Sequence, residues 1–146
     1  QIVTDLLDGA VTSFAARVQR YLPVTDRFVL RLHEGDREVC QFGLLRNGDI
    51  LHTALSGAEW ARITLALAAA VVEGHPGGVH VLVPEDRAFD DDTLYSVLEA
   101  FGRSGAQVLF CYTRMPAKGV PAGWTVISTA ACEHRAPVAV VACCVV

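Results

Sequence analysis

The sequence predicts an α/β domain built on a mixed sheet with flanking helices, and two stretches carry that prediction. Between Phe28 and His52, three β-prone runs are separated by the turn signals Glu34-Gly35-Asp36 and Asn47-Gly48, the pattern of an antiparallel meander. Further on, two short and nearly all-apolar runs, Val79 to Val83 and Gln107 to Cys111, bracket a helical stretch from Thr93 to about Arg103. Strand, helix and strand with short connections form a parallel pair by a right-handed crossover, each strand buried on both faces.

The chain has 146 residues, which is one domain with a real core, residues 1–22 as a helix and 23–146 as the body. With 52% hydrophobic and 19% charged residues, intrinsic disorder is excluded. No apolar run is long enough to span a bilayer without a charge, Gly or Pro, so no membrane association is expected. Gln1 in place of Met points to processing or to excision from something longer. A formal net charge of −4 gives the whole domain no pull on nucleic acid. The one local basic excess is Arg17, Arg20, Arg27 and Arg31, which a solvated helix face explains as well as a DNA contact does.

Five cysteines, Cys40, Cys111, Cys132, Cys143 and Cys144, form no CxxC pair and sit mostly in apolar runs. They read as buried, reduced thiols of a cytoplasmic protein. Cys132-Glu133-His134 with Cys143 and Cys144 fits no zinc spacing, so no metal ligands are assigned. His33, His52, His75 and His80 lack a cysteine or carboxylate at triad-like spacing, which leaves nucleophilic catalysis without support.

In chain order, Val3, Leu7, Ala10, Phe14, Val18 and Tyr21 form the seam of an amphipathic helix that Pro23 ends. The seam suits an ordinary surface helix or the end of a coiled coil, and three periods do not decide between them. Phe28 to Leu32, Glu38 to Leu45 and Ile50 to His52 are the meander strands. Ser56-x-x-Glu59 is a capping box, with Leu55 and Trp60 placed as its hydrophobic staple. The helix it opens runs to about Glu73 and is apolar almost all round, so burial on more than one face is expected. Its first turn presents unpaired N–H groups and positive dipole charge, and Gly57 leaves room for an anion to come close. Asp90-Asp91-Asp92 caps the next helix. Trp124 to Ser128 and Val138 to Val146 are two last strands, expected at the sheet edge.

Leu55-Ser56-Gly57-Ala58-Glu59 resembles the signature motif of ABC-type ATPases, usually LSGGE or LSGGQ. Glu85, at the end of an apolar strand, is placed like that family's Walker B catalytic glutamate, and Phe89-Asp90 resembles the Leu-Asp of its D-loop. A helix, antiparallel strands and then the signature is the order found in heads of the SMC, SbcC and RecF-like DNA-repair class. The resemblance covers residues 1–113 and implies the C-terminal lobe of a P-loop ATPase head. It implies that Ser56, Gly57 and Glu59 meet ATP held by another head or lobe, that Glu85 acts as the base, and that Asp90 positions the opposing half. ATP and Mg²⁺ are the implied cofactors, bound mainly by a Walker A-bearing N-terminal lobe or second head. A nuclease subunit and DNA are further implied partners, in a homo- or hetero-oligomer.

The departures are equally specific. Pro84 stands where the family has the aspartate that supports Mg²⁺, and Asp86 is on the wrong side of the turn. Thr113 falls near the place of the switch histidine, and the loop to Asp90 is one residue short. A P-loop needs the lysine of GxxxxGK[ST], but the only lysine is Lys118, in Pro116-Ala117-Lys118-Gly119. The resemblance therefore implies ATP hydrolysis only when another lobe completes the head. The alternative is a catalytically decayed, non-enzymatic scaffold with the same fold. A metabolic enzyme on a flavodoxin-like sheet ranks third, because no Gly-rich phosphate loop follows a predicted strand.

Overall fold

A computed structural model describes residues 2–35, 37–73, 78–85, 88–128 and 139–143. Among these residues the architecture is mixed α/β, with three helices and two sheets. Helix α1 (Ile2–Arg20) precedes a three-stranded antiparallel sheet of β1 (Phe28–Glu34), β2 (Arg37–Arg46) and β3 (Ile50–His52). Next come α2 (Gly57–Val72), β4 (Val79–Leu82), α3 (Asp91–Arg103), β5 (Gln107–Tyr112), β6 (Trp124–Ser128) and β7 (Ala139–Cys143). The second sheet has the order β4-β5-β7-β6, with β4 parallel to β5 and the remaining pairs antiparallel. Among the described residues, no helix is long and apolar enough to cross a membrane.

The meander forms as its turn residues dictate. Asn47 and Gly48 both take positive φ, 49° and 93°, the conformation that favours Asn-Gly in tight hairpins. Arg46 then pairs with Ile50 and Leu44 with His52. At Gly43 any Cβ would collide with the His52 carbonyl, so only glycine lets β3 cross there. This short third strand delivers the backbone to Ser56.

One apolar cluster joins both sheets to the helices. It contains Val18 of α1 with Tyr21 and Leu22 just after it, Phe28 and Leu44 from the meander, and Ile63, Ala66, Ala69 and Ala70 of α2. Leu94, Val97, Leu98 and Phe101 of α3, Val108, Phe110 and Tyr112 of β5, and Leu82, Phe89 and Trp124 also belong to it. Gln19 stitches the end of α1 to β1, donating from Nε2 to the Asp26 carbonyl at 2.7 Å and accepting the Phe28 N–H at 2.9 Å. Asp26 in turn takes a two-pronged contact from Arg62 of α2, at 2.7 and 3.1 Å, with both side chains largely buried.

Helix α2 packs over more than one face: Glu59, Ile63, Ala66, Ala69 and Ala70 are buried, Ala58, Ala61, Leu65 and Leu67 pack against the core, and Trp60, Val71 and Val72 lie on its exposed stripe. Four expectations need correction. Only the last turns of the α1 seam meet the body: Val3 and Leu7 are exposed, whereas Val18 and Tyr21 are buried. Cys40 is exposed, in the half of β2 nearest the β1–β2 turn; burial in this strand is confined to Gly43 and Leu44 further along. Strand β7 is not at the edge but inserts between β5 and β6, pairing with both. Finally, among the described residues β4 is an edge strand with one bare face. His80 and Leu82 are buried, but Val79, Val81 and Val83 are 48%, 59% and 71% exposed.

His80 faces the ring of Tyr21 with centroids 5.8 Å apart. Burial lowers its pKa below the usual 6.5, against the opposing pull of Glu73, which is itself paired with Arg20 at 2.5 Å. Unfolding frees the imidazole to take a proton near pH 6.5, while the folded form resists it until lower pH. Its contribution to stability is thus present above the unfolded pKa and lost as pH falls from there through the folded pKa. Urea denaturation between pH 7 and 5 should show a decline in stability that is shallower in His80→Phe. Equal declines in the two proteins would remove His80 as a source.

Candidate functional site

The N-terminus of α2 is a complete capping box. Ser56 takes extended backbone angles, φ −68° and ψ 163°, and its Oγ accepts the Glu59 N–H at 3.4 Å. The Ser56 N–H donates back to Glu59 Oε2 at 2.7 Å, and the Trp60 N–H closes the first helical turn on the Ser56 carbonyl at 2.9 Å. Leu55 packs against the core, while Trp60 meets the Phe42 ring edge-on at 5.4 Å.

Ser56 and Gly57 are exposed, whereas Glu59 is buried. The other Glu59 oxygen, Oε1, is bound by Arg46 Nη2 from the end of β2. Both Glu59 oxygens are therefore committed inside the protein, and this side chain shapes the tip rather than projecting from it. A Cβ on Gly57 would meet nothing within 4 Å, so packing does not require glycine there. What glycine provides is clear space over the first-turn amides, which lack intrahelical acceptors.

Glu85 follows β4 through Val83 and Pro84. It is exposed, its carbonyl accepts the Ala88 N–H at 3.1 Å, and its carboxylate has no partner among the described residues. Asp86, the sequence's only stand-in for the missing Walker B aspartate, lies outside the described residues. Asp90 is the N-cap of α3, with Oδ1 accepting the Thr93 N–H at 2.7 Å. The Thr93 hydrogen bonds, helped by the charges of Arg114 and Arg62, hold the Asp90 carboxyl below the usual carboxylate range.

Asp91 and Asp92 do something the sequence did not reveal. Arg114 Nη1 lies 2.9 Å from Asp91 Oδ1, the Ala117 N–H donates to Asp91 Oδ2 at 2.9 Å, and Lys118 Nζ lies 2.6 Å from Asp92 Oδ1. The sole lysine thus holds the loop after β5 against α3. Phe89, just before the cap, is buried and held by three contacts: its N–H donates to Tyr112 Oη at 3.2 Å, and its carbonyl accepts from Tyr112 Oη and Arg114. Tyr112 and Arg114 flank Thr113, so the end of β5 fixes the Phe89-Asp90 segment by contacts other than a histidine. A signal existed in the Arg-x-x-x-Lys spacing of Arg114 and Lys118 opposite three aspartates, but pairing them required knowing that β5 ends beside α3.

Ser56, Gly57 and Glu59 share the start of α2, Glu85 follows β4, and Asp90 caps α3; among the described residues no hydrogen bond or ion pair joins these three places. The charge of Arg62, in the second turn of α2, nonetheless reaches Asp90. Arg62 also lines a shallow groove with Asp92 and Thr93, which puts the starts of α2 and α3 on one side of the molecule.

The basic excess near α1 is partly neutralised. Arg20 pairs with Glu73, Arg27 reaches Asp49, and Arg17 lies over the Phe14 ring. The described residues contain no group of three His, Cys, Asp or Glu side chains arranged to hold a metal; Cys132-Glu133-His134 lies outside them. No protein-family model matches the chain, and a search of curated proteins finds no match.

Proposed function

We propose that this chain is the C-terminal lobe of an ABC-type ATPase head of the SMC/SbcC/RecF-like class. It would supply the signature tip and the catalytic glutamate to ATP carried by a separate Walker A lobe, in DNA repair or recombination. The observation that carries this reading is the unfinished second sheet. Parallel strands in α/β proteins are covered on both faces, yet β4 presents Val79, Val81 and Val83 to solvent and pairs only with β5 among the described residues. Among the described residues, the strand that leads to Glu85 has no neighbour on one side and no layer over its valines, and a nucleotide-bearing lobe docked there would supply that cover.

In this reading the Ser56 hydroxyl and the amides of Gly57 and Ala58 meet the terminal phosphate of the bound ATP, the anion-binding use of a helix start. Glu85, exposed and without a side-chain partner among the described residues, accepts the proton of the attacking water, or orients that water, as a general base. Asp90, kept ionised by its cap bond and by Arg114 and Arg62, steers the opposing half. ATP fits the open tip. Pro84 offers no ligand where the resembled family has its metal-supporting aspartate, so in this reading Mg²⁺ is held mainly by the partner lobe.

Pro84 and Thr113, where a metal-supporting aspartate and a switch histidine are expected, favour a second reading: a scaffold that keeps the fold and has lost hydrolysis. Association with a lobe carrying GxxxxGK[ST] separates the two. On the first reading, association measured by light scattering depends on ATP and is lost in Ser56→Arg, whose side chain fills the exposed tip. Association that ignores nucleotide and survives Ser56→Arg would establish the scaffold instead.

A further inference from the structure

A cavity of about 370 Å³ lies at the opposite end of α2 from Ser56, large enough to admit a small organic molecule. Tyr21 reaches it from just after α1, Glu73 from the end of α2 and Ser104 from the end of α3, while His80 and Gln107 come from the paired starts of β4 and β5. Two of these side chains are sunk in the protein: Tyr21 is 2% exposed and His80 9%, and their rings face each other. Neither the phenol nor the imidazole has a hydrogen-bond partner among the described residues. Glu73 Oε2 is also buried without a partner, while Oε1 takes Arg20. Buried polar groups are nearly always satisfied, by protein, water or ligand, so three such groups at one cavity ask for a bound molecule. Ser104 is already committed, its hydroxyl donating to the Phe101 carbonyl at 2.6 Å and accepting the Ala106 N–H at 3.3 Å.

The charge around the cavity selects the kind of molecule. Glu73 brings a carboxylate, and α2 and α3 both end here, each C-terminus carrying on the order of half a negative charge on its unpaired carbonyls. The last turn of α2 has no basic residue to offset this, and Arg103 of α3 pairs with Glu99 at 3.3 Å. Arg20 cancels only part of the field. Burial first, and then Glu73, raise the Tyr21 pKa above the ordinary phenol value, and the opposing pull of Arg20 is weaker than that of Glu73. At His80 burial lowers the pKa, with Glu73 working against it. Phenol and imidazole are therefore both neutral at about pH 7 and able to accept a hydrogen bond from a cation, in a field that favours one.

We propose that this cavity binds a small organic cation, a protonated primary amine, whose ammonium group lies against the Tyr21 hydroxyl and the His80 imidazole under the charge of Glu73. The inference is independent of how the start of α2 is used. A divalent metal fits less well, since no three His, Cys, Asp or Glu side chains converge among the described residues. An anion would meet the same negative field that favours the amine.

The test adds n-butylammonium chloride to the full chain and follows the His80 ring signals by NMR, identified by their loss in His80→Phe. Saturable shifts are expected, together with a fall in the His80 pKa, because a cation beside the imidazole disfavours its protonation. n-Butanol and butyrate, of similar length but without the positive charge, should bind at least about tenfold more weakly. Glu73→Gln should weaken butylammonium binding by about tenfold. Tyr21→Phe, which keeps the ring and its packing, should weaken it by about fivefold. If either variant fails to fold, the comparison of the three ligands on the unaltered chain carries the test. n-Butanol binding as well as butylammonium would reveal a merely apolar cavity, and tighter binding of butyrate would reverse the sign of the site; either overturns the proposal. So does butylammonium that gives no saturable shift, or binding left unchanged in both folded variants.

Discussion

Glu85→Gln is expected to lower ATP turnover by the completed head by about 10²- to 10⁴-fold, the usual worth of a general base. The side chain is exposed and makes no described contact, so the amide should leave folding untouched. Turnover by a mixture of this chain with its Walker A lobe checks the first point, and a thermal melt checks the second. Unchanged turnover would take Glu85 out of the chemistry and move the molecule toward the scaffold reading. Hydrolysis is the right readout, because an acid that acts only on the attacking water leaves nucleotide-driven association largely intact.

The other large effect is on stability. Phe101 is fully buried near the end of α3, with the ring of Tyr21 at 5.3 Å. Tyr21 also faces His80, so this one ring anchors the end of α1 to both α3 and β4. Phe101→Ala removes the aromatic body and leaves a cavity in a seam of large side chains that cannot easily close. A loss of about 3–5 kcal/mol is expected, a large share of the 5–15 kcal/mol that holds an ordinary domain together. Guanidinium denaturation measures it. A loss below about 1 kcal/mol would mean that the α1–α3 seam collapses to fill the space.

The features legible in the sequence were those whose atoms lie within a few residues of one another. The capping box needs only Ser56 through Glu59, the hairpin needs only Asn47 and Gly48, and the cap of α3 needs Asp90 and Thr93; all three are present. Strand existence was also readable, because alternation or an apolar run is local. Failures came where the outcome depends on distant chain. The composition of Val79 to Val83 is that of a strand covered on both faces, but cover is a property of neighbours, and β4 has it on one face only. The place of β7 between β5 and β6 follows from pairing, which its own residues do not encode.

The candidate site divides along the same line. Ser56 and Gly57 are where the motif puts them, at an open helix start. Glu59, chosen with them as a nucleotide contact, faces inward to Ser56 and Arg46, because the geometry that makes a capping box turns that carboxylate toward the backbone it caps. By sequence Asp91 and Asp92 repeat the capping residue Asp90, but in the fold they hold Arg114 and Lys118 from a loop more than twenty residues away. No local rule pairs residues at that range; only the return of β5 alongside β4 brings them into reach.

A bare β4 also has a consequence for the life of the polypeptide before it meets any companion. From Gly78 to Pro84 it has no acidic or basic side chain except the imidazole of His80, and its outer backbone groups find no partner strand among the described residues. A valine ribbon of this kind is a template for indiscriminate stacking between molecules. Left uncovered, such a strand favours association between copies, so whatever covers it would govern how much of this polypeptide stays dissolved.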